Sequence, residues 1–90
     1  MIHQYQNNGY NIVLDVNSGS VHVVDKTAYD VIACLEKQNP FHTAETLKEE
    51  SVSAYLAEEL GNTYPEEDIR DILEAVIELT EGGNLFARDV

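Results

Sequence analysis

Apolar and polar positions alternate along the first 24 residues of the chain and follow a helical period after them. The alternation predicts three short strands, over residues 2–6, 10–15 and 20–24. Asn7-Asn8-Gly9 and Asn17-Ser18-Gly19 separate these strands, and both segments contain residues that tolerate tight-turn or left-handed dihedrals. The N-terminal part is therefore expected to form an antiparallel meander.

The rest of the chain predicts three helices. The first covers residues 26–37, with Asp25 as its N-cap, and the second covers residues 51–60. The third begins at Pro65 and carries three acidic residues in its first turn, where they favour the positive end of the helix dipole. Thr43 predicts one further short helical turn, through Leu47. Apolar residues recur at intervals of three and four in the three helices: Ala28, Val31, Ile32 and Leu35; Val52, Tyr55, Leu56 and Leu60; Ile69, Ile72, Leu73, Val76, Ile77 and Leu79.

Three strands followed by three helices predict an α+β domain of the winged-helix kind, with residues 1–90 as a single domain. One face of the third strand must pack on the helices, so Val21 and Val23 are expected to be buried. The third helix has an apolar arc of about 160°, wider than the roughly 100° stripe that a surface helix needs. One flank of it is therefore available to line a groove.

The strand Ser20–Val24 is expected to lie at the edge of the sheet. An uncovered edge presents unpaired N–H and C=O groups, and it can accept an extended peptide as an additional strand. The same edge can also pair with its equivalent in a second copy of the chain.

The chain has 17 Asp and Glu and only five Lys and Arg, so its net charge is −12. This charge limits which classes of partner it can bind. Such a chain repels phosphate backbones and anionic membranes, and it attracts basic peptides. A winged-helix transcription factor needs a basic third helix. Here Arg70 is the one basic residue among seven acids between positions 66 and 81, which excludes that class.

The sequence offers little for catalysis or metal binding. Cys34 is the single cysteine, whereas an iron–sulfur cluster requires several thiolates. His3, His22 and His42 match no metal-binding spacing, and His22 is either a side chain near a bound peptide or an ordinary surface imidazole. The N-terminus lacks the pattern of a secretory signal, and no apolar run is long enough for a membrane span, so a cytoplasmic protein is expected.

The segment NGYNIVLDVNSGSVHVVD, followed by a helix, resembles the N-terminus of radical SAM maturases that install thioether cross-links in SCIFF peptides. SCIFF peptides are ribosomally made precursors with six cysteines in forty-five residues. The opening domain of these maturases is a PqqD-like RiPP recognition element, a winged helix-turn-helix module that binds the leader of the precursor. The resemblance covers about the first 35 residues, and the ending GGNLFARDV is also similar. The stretch between positions 37 and 53 is longer than the family pattern.

The resemblance implies a peptide-binding site and no catalytic residue. In such modules the leader adds as a strand beside the third strand and lies against the third helix. Carried over to this chain, the peptide-binding residues are Ser20, Val21, His22, Val23 and Val24 together with Ile69, Arg70 and Leu73. The opposite edge of the helix, with Ile72 and Leu79, is the alternative flank. SCIFF leaders are lysine-rich, which agrees with the charge of this chain.

The resemblance also implies what the partner supplies. The iron–sulfur clusters and S-adenosylmethionine are expected in the catalytic domain of the maturase, and no cofactor is expected in these 90 residues. The domain itself is expected to have no enzymatic activity. The alternative from another class is a structural or dimerisation domain that pairs through Ser20–Val24.

Overall fold

The computed structural model describes residues 2–86. Three antiparallel strands come first and lie in the order β1-β2-β3: β1 Ile2–Asn7, β2 Tyr10–Asp15 and β3 Ser20–Val24. Four helices follow: α1 Lys26–Gln38, α2 Ala44–Leu47, α3 Glu50–Leu60 and α4 Glu66–Glu81. The fold is therefore α+β, with an open three-stranded antiparallel sheet.

The predicted strands and helices are confirmed, but the number of helices is corrected from three to four. The additional helix, α2, is the short turn that Thr43 predicted. The Thr43 side chain accepts a hydrogen bond from the Thr46 backbone N–H at 3.2 Å, and the Thr43 N–H donates to Thr46 Oγ1 at 2.8 Å. This reciprocal cap satisfies N–H groups that a four-residue helix cannot pair internally.

The turn between β1 and β2 explains the register of the sheet. Asn8 has φ of 52° and Gly9 has φ of 83°, so both central residues of this two-residue turn are left-handed. Turns of this kind match the right-handed twist of the flanking strands. They place Tyr5 opposite Ile12, and Ile12 pairs in turn with Val23 of β3.

The two faces of the sheet have different environments. Ile2, Val13 and Asp15 point to the inner face and are 5%, 0% and 0% exposed. Helix α1 packs on this face through β1 and β2. The expectation that Val21 and Val23 are buried is wrong: they are 59% and 63% exposed. They pair with Leu14 and Ile12, which alternate with Val13 along β2 and therefore share the outer face.

The hydrophobic core lies between the inner face of the sheet and the helices, and between the helices themselves. The segment after α4 returns to this core, with Leu85 fully buried and Phe86 nearly so. No helix within residues 2–86 is both long and apolar enough to cross a bilayer. The buried side chains of the helices are Val31, Ile32 and Leu35 in α1, Leu47 in α2, Val52 and Leu56 in α3, and Ile69, Leu73 and Val76 in α4.

Two polar contacts fix α1 relative to its neighbours. The Gln4 side chain of β1 donates to the Tyr29 carbonyl oxygen at 2.8 Å. The Tyr64 hydroxyl, just before α4, donates to the Asp30 carboxylate at 2.5 Å, and this hydrogen bond raises the pKa of Tyr64. Helix α1 is thus tied to the sheet on one side and to the start of α4 on the other.

Truncation of a single valine on each face of the sheet tests the assignment of the faces. We expect Val13→Ala to lower the free energy of unfolding by about 2 kcal/mol, because it removes two buried methyl groups. Val23→Ala should cost less than about 1 kcal/mol, because its side chain is largely in water. Both variants lose the same intrinsic strand propensity, so the difference between their urea-unfolding curves reports burial. Equal losses would contradict the assignment.

Candidate functional site

The outer edge of the sheet at β3 is the first part of the candidate site. Within residues 2–86, β3 pairs with β2 on one side and with no strand on the other. Alternate residues of an antiparallel strand direct their N–H and C=O groups away from the neighbouring strand. The edge therefore presents a row of backbone donors and acceptors to an incoming extended chain.

The β3 side chains divide between two environments. Val21 and Val23 project from the outer face, whereas Ser20, His22 and Val24 point inward and are half-buried. Val24 packs against the core. The predicted β3 residues thus form one continuous strand, and the hydrogen-bonding groups along its edge belong to the main chain.

Asn84, which follows α4, joins the inward side of β3. Ser20 Oγ donates to Asn84 Oδ1 at 3.2 Å, and His22 Nε2 lies 2.8 Å from the Asn84 carbonyl oxygen. A carbonyl oxygen only accepts, so His22 donates through Nε2. His22 therefore has a structural partner at the C-terminal end of α4.

Helix α4 runs alongside β3 in the opposite direction. Asn84, after the last turn of α4, contacts the start of β3. Asp68 and Asp71, near the first turns of α4, line an open cleft of about 240 Å³ with Asp25, which directly follows β3. The two ends of β3 are thus next to opposite ends of α4, and the open cleft lies at the Val24 end of the strand.

The flank of α4 that lines this cleft is the one with Ile72. Ile72 lines the cleft beside Thr27 and is half-buried. Leu79 lies two helical turns further along the same side and is also half-buried. Ile72, from the alternative flank of the sequence prediction, is therefore the residue that the structure places near the end of β3.

The other predicted flank, Ile69, Arg70 and Leu73, lies on the side of α4 that faces α3. Ile69 and Leu73 are 5% and 7% exposed. Together with Leu56 of α3 they line a largely apolar cavity of about 230 Å³. Arg70 is exposed and pairs with Glu66 at 3.2 Å. The structure therefore does not bring these three residues together with the edge of β3.

The cleft at the end of β3 is strongly acidic. Three carboxylates line it, from Asp25, Asp68 and Asp71, and no basic side chain does so. Asp25 also accepts a hydrogen bond from the Ala28 N–H at 2.8 Å as the N-cap of α1. Carboxylates held around an open cleft attract a basic side chain, and the apolar surface of Ile72 suits the aliphatic stem of that side chain.

The contacts of His42 indicate a structural role for this side chain. Its ring is 3% exposed and packs edge-on against Phe86, with 5.7 Å between the ring centroids. Nδ1 lies 2.9 Å from Thr46 Oγ1, and Nε2 lies 3.1 Å from the Gln38 side chain. Burial lowers the pKa of His42, and the nearby Glu49 carboxylate acts more weakly in the opposite direction. The neutral imidazole therefore joins α1, α2 and the C-terminal segment.

The remaining candidates for chemistry are separate from one another. His3 is exposed on β1, and within residues 2–86 no group of three or more His, Cys, Asp or Glu side chains is arranged to hold a metal ion. Cys34 is half-buried, and burial, followed by Glu59 and Asp30, raises the pKa of its thiol. The thiol form, which is the less nucleophilic form, is therefore favoured at neutral pH.

Comparison with known proteins adds no relative: no family model matches the chain, and no curated protein is significantly similar to it. The candidate site therefore depends on geometry and on the residue types of this chain alone.

Sequence reasoning missed Asn84, Asp68 and Asp71 as site residues. Both aspartates were identified only as part of the acidic third helix, because their position near Asp25 depends on how α4 lies against the sheet. The Gly82-Gly83 pair is typical of a helix end, but it gives no signal that the next residue returns to β3.

Replacement of His42 is expected to change how stability depends on pH. The folded state resists protonation of His42, so the unfolded chain takes up that proton first as the pH falls below about 6.5. The free energy of unfolding of the wild type should therefore decrease between pH 7 and pH 5 relative to that of His42→Asn. His3→Asn, at an exposed position, is the control. A wild-type minus His42→Asn difference that stays constant from pH 8 to pH 5 would contradict this linkage.

Proposed function

We propose that this domain is a PqqD-like RiPP recognition element of winged-helix type, which binds the leader of a ribosomally synthesised precursor peptide by β-strand addition. The precursor is of the SCIFF type, and the domain presents it to a radical SAM maturase that forms thioether cross-links in the cytoplasm. The observation that carries the proposal is the edge of β3, unpaired among the described residues and alongside α4. The resemblance of NGYNIVLDVNSGSVHVVD to such maturases supplies the identity of the peptide.

The geometry supports strand addition in two ways. Main-chain hydrogen bonds to β3 bind an extended peptide with little dependence on its sequence. Alternate side chains of that peptide point to the same side, and those at the Val24 end of β3 would meet the cleft that Ile72 lines. Affinity thus comes from the backbone, and selectivity comes from the contacts with α4.

The charge of the cleft at the end of β3 supports a basic peptide. Asp25, Asp68 and Asp71 lie together at the end of β3, in a chain of net charge −12. Opposite charges accelerate the encounter and determine which peptide is accepted, and their effect decreases as salt is added. A lysine-rich leader meets this requirement.

In this role the domain binds the leader peptide, and its partner carries out the reaction. The bound peptide is presented to the radical SAM domain, whose iron–sulfur clusters and S-adenosylmethionine carry out the reaction. No residue of the 90 is assigned a catalytic role. The peptide site consists of the main chain of Ser20–Val24 and the Ile72 flank of α4.

A structural or dimerisation domain is the second candidate, and the same open edge favours it. Two copies related by a two-fold axis can pair β3 with β3 as antiparallel strands. Such pairing and peptide addition use the same hydrogen-bonding groups, so they compete with each other.

Titration of a lysine-rich SCIFF leader into the isotope-labelled 90-residue chain tests the proposal by amide NMR. We expect saturable shifts in Ser20–Val24 and around Ile72, and none around Leu56 in the cavity between α3 and α4. A leader of the same composition in scrambled order is the control for simple charge attraction. No saturation at near-millimolar peptide would overturn peptide capture, whereas shifts in β3 that depend only on protein concentration would favour edge pairing.

Neutralisation of the acidic cleft is expected to weaken leader binding. Asp68→Asn combined with Asp71→Asn should raise the dissociation constant about three- to tenfold, since each exposed ion pair contributes about 0.2–1 kcal/mol. Glu58→Gln combined with Glu59→Gln removes the same charge from α3, away from the acidic cleft. Isothermal titration calorimetry at low and at high salt measures the dissociation constants of both double variants. At low salt, the α4 variant should lose more affinity for the leader than the α3 variant. An equal loss of affinity in the two double variants would show that leader binding depends only on the net charge of the domain.

A further inference from the structure

The turn between β1 and β2 contains the one Asn-Gly pair of the sequence, Asn8-Gly9. Both residues are exposed, and no described atom lies within 4 Å of the position that a Cβ on Gly9 would occupy. Within residues 2–86, the Asn8 side chain and the Gly9 N–H have no hydrogen-bond partner. A side-chain amide and the backbone nitrogen that follows it are therefore adjacent, unhindered and in contact with water.

These two groups can react with each other without a cofactor. The Gly9 backbone nitrogen attacks the Asn8 side-chain carbonyl carbon, Cγ, and a C–N bond forms. The side-chain nitrogen leaves as ammonia, with the proton that the Gly9 nitrogen gives up, and a five-membered succinimide remains. Water then opens this ring at one of its two carbonyl carbons and leaves aspartate or isoaspartate at position 8. Glycine favours the ring closure because it has no side chain to obstruct the approach.

The conformation of the folded turn opposes this ring closure. The Gly9 nitrogen reaches Cγ only when Cβ and that nitrogen are nearly eclipsed about the Asn8 Cα–C bond. Asn8 has φ of 52°, in the left-handed region, where ψ is about +30 to +60°. At these angles Cβ and the Gly9 nitrogen lie on opposite sides of the Cα–C bond, so the distance from the nitrogen to Cγ is too large for attack.

We propose that Asn8 is a deamidation site that reacts only when the hairpin of β1 and β2 opens. The pairing of Asn7 with Tyr10 holds the turn in its left-handed conformation, and local opening releases it. The rate of deamidation is then the rate in the open chain multiplied by the fraction of molecules whose hairpin is open. The turn thus protects the least hindered Asn of the sequence for as long as the sheet is intact.

The two products have different consequences for the sheet. Aspartate followed by glycine suits the same two-residue turn. Isoaspartate instead routes the main chain through the former side chain and adds one CH₂ group to the backbone. The turn then no longer keeps the register that places Tyr5 opposite Ile12, and Val13 on the same strand is part of the core. Isoaspartate at position 8 therefore destabilises the sheet, and the hairpin of the modified chain is open for more of the time.

Incubation of the 90-residue chain at neutral pH, followed by peptide mapping with mass spectrometry, tests the proposal. In urea we expect Asn8 to deamidate faster than any other Asn. In the folded chain it should react at least about tenfold more slowly, since a hairpin-opening free energy of only about 1.4 kcal/mol gives that factor. Asn8→Gln is the control, because its reaction needs a six-membered ring. It should remove the product at position 8 in both states.

Gln6→Ala tests the role of hairpin opening without changing either reacting residue. It removes the hydrogen bond from Gln6 Nε2 to Asn11 Oδ1, 2.7 Å long, which joins the two strands beside the turn. We expect deamidation of the folded variant to be about two- to tenfold faster than that of the wild type. The two rates in urea should be equal, and circular dichroism confirms that the variant is folded.

Three results would overturn the proposal. The first is a rate at Asn8 in the folded chain that equals or exceeds the rate in urea, because ring closure would then not require opening. The second is faster deamidation in urea at another residue, such as Asn17 or Asn62, or none at Asn8. The third is a folded Gln6→Ala variant that deamidates no faster than the wild type.

Discussion

The packing of α1 against one face of the sheet is the contact on which the remaining arrangement depends. Val13 and Ile2 are buried in one core with the α1 side chains Val31 and Leu35, and α3 and α4 also pack on α1. All described helices are thus on one side of three strands. As a result, α4 lies alongside β3, the edge of β3 stays open among the described residues, and the opposite face of the sheet is exposed.

The strands, the turns and the three longer helices could be predicted because each has a strong local signal. Asn8-Gly9 specifies a two-residue turn, and the apolar spacing of α1 and α4 leaves little choice of structure. The orientation of the sheet could not be predicted. In β2 the outward positions Tyr10, Ile12 and Leu14 are at least as apolar as the inward Val13 and Asp15, so burial by hydrophobicity alone selects the wrong face.

For a related reason, the sequence could not show which flank of α4 lies near β3. Its apolar arc covers two packing surfaces, one against α3 and α1 and one beside β3, and the sequence does not distinguish them. Ile69 and Leu73 belong to the first surface and Ile72 to the second. The decisive information is tertiary: Asp68 and Asp71 lie near Asp25 only because the first turns of α1 and α4 come together at that end of the sheet.

Because Val21 and Val23 are exposed, this domain can accept substitutions at both positions during evolution. Residues that contribute little to folding can be replaced without moving the protein towards its stability threshold. In β3 the backbone edge and the outer side chains can vary separately, because the outer side chains are free of the core. Mutations at Val21 and Val23 can therefore accumulate while the fold and the strand edge remain unchanged, and a library randomised at these two positions should consist mostly of folded proteins.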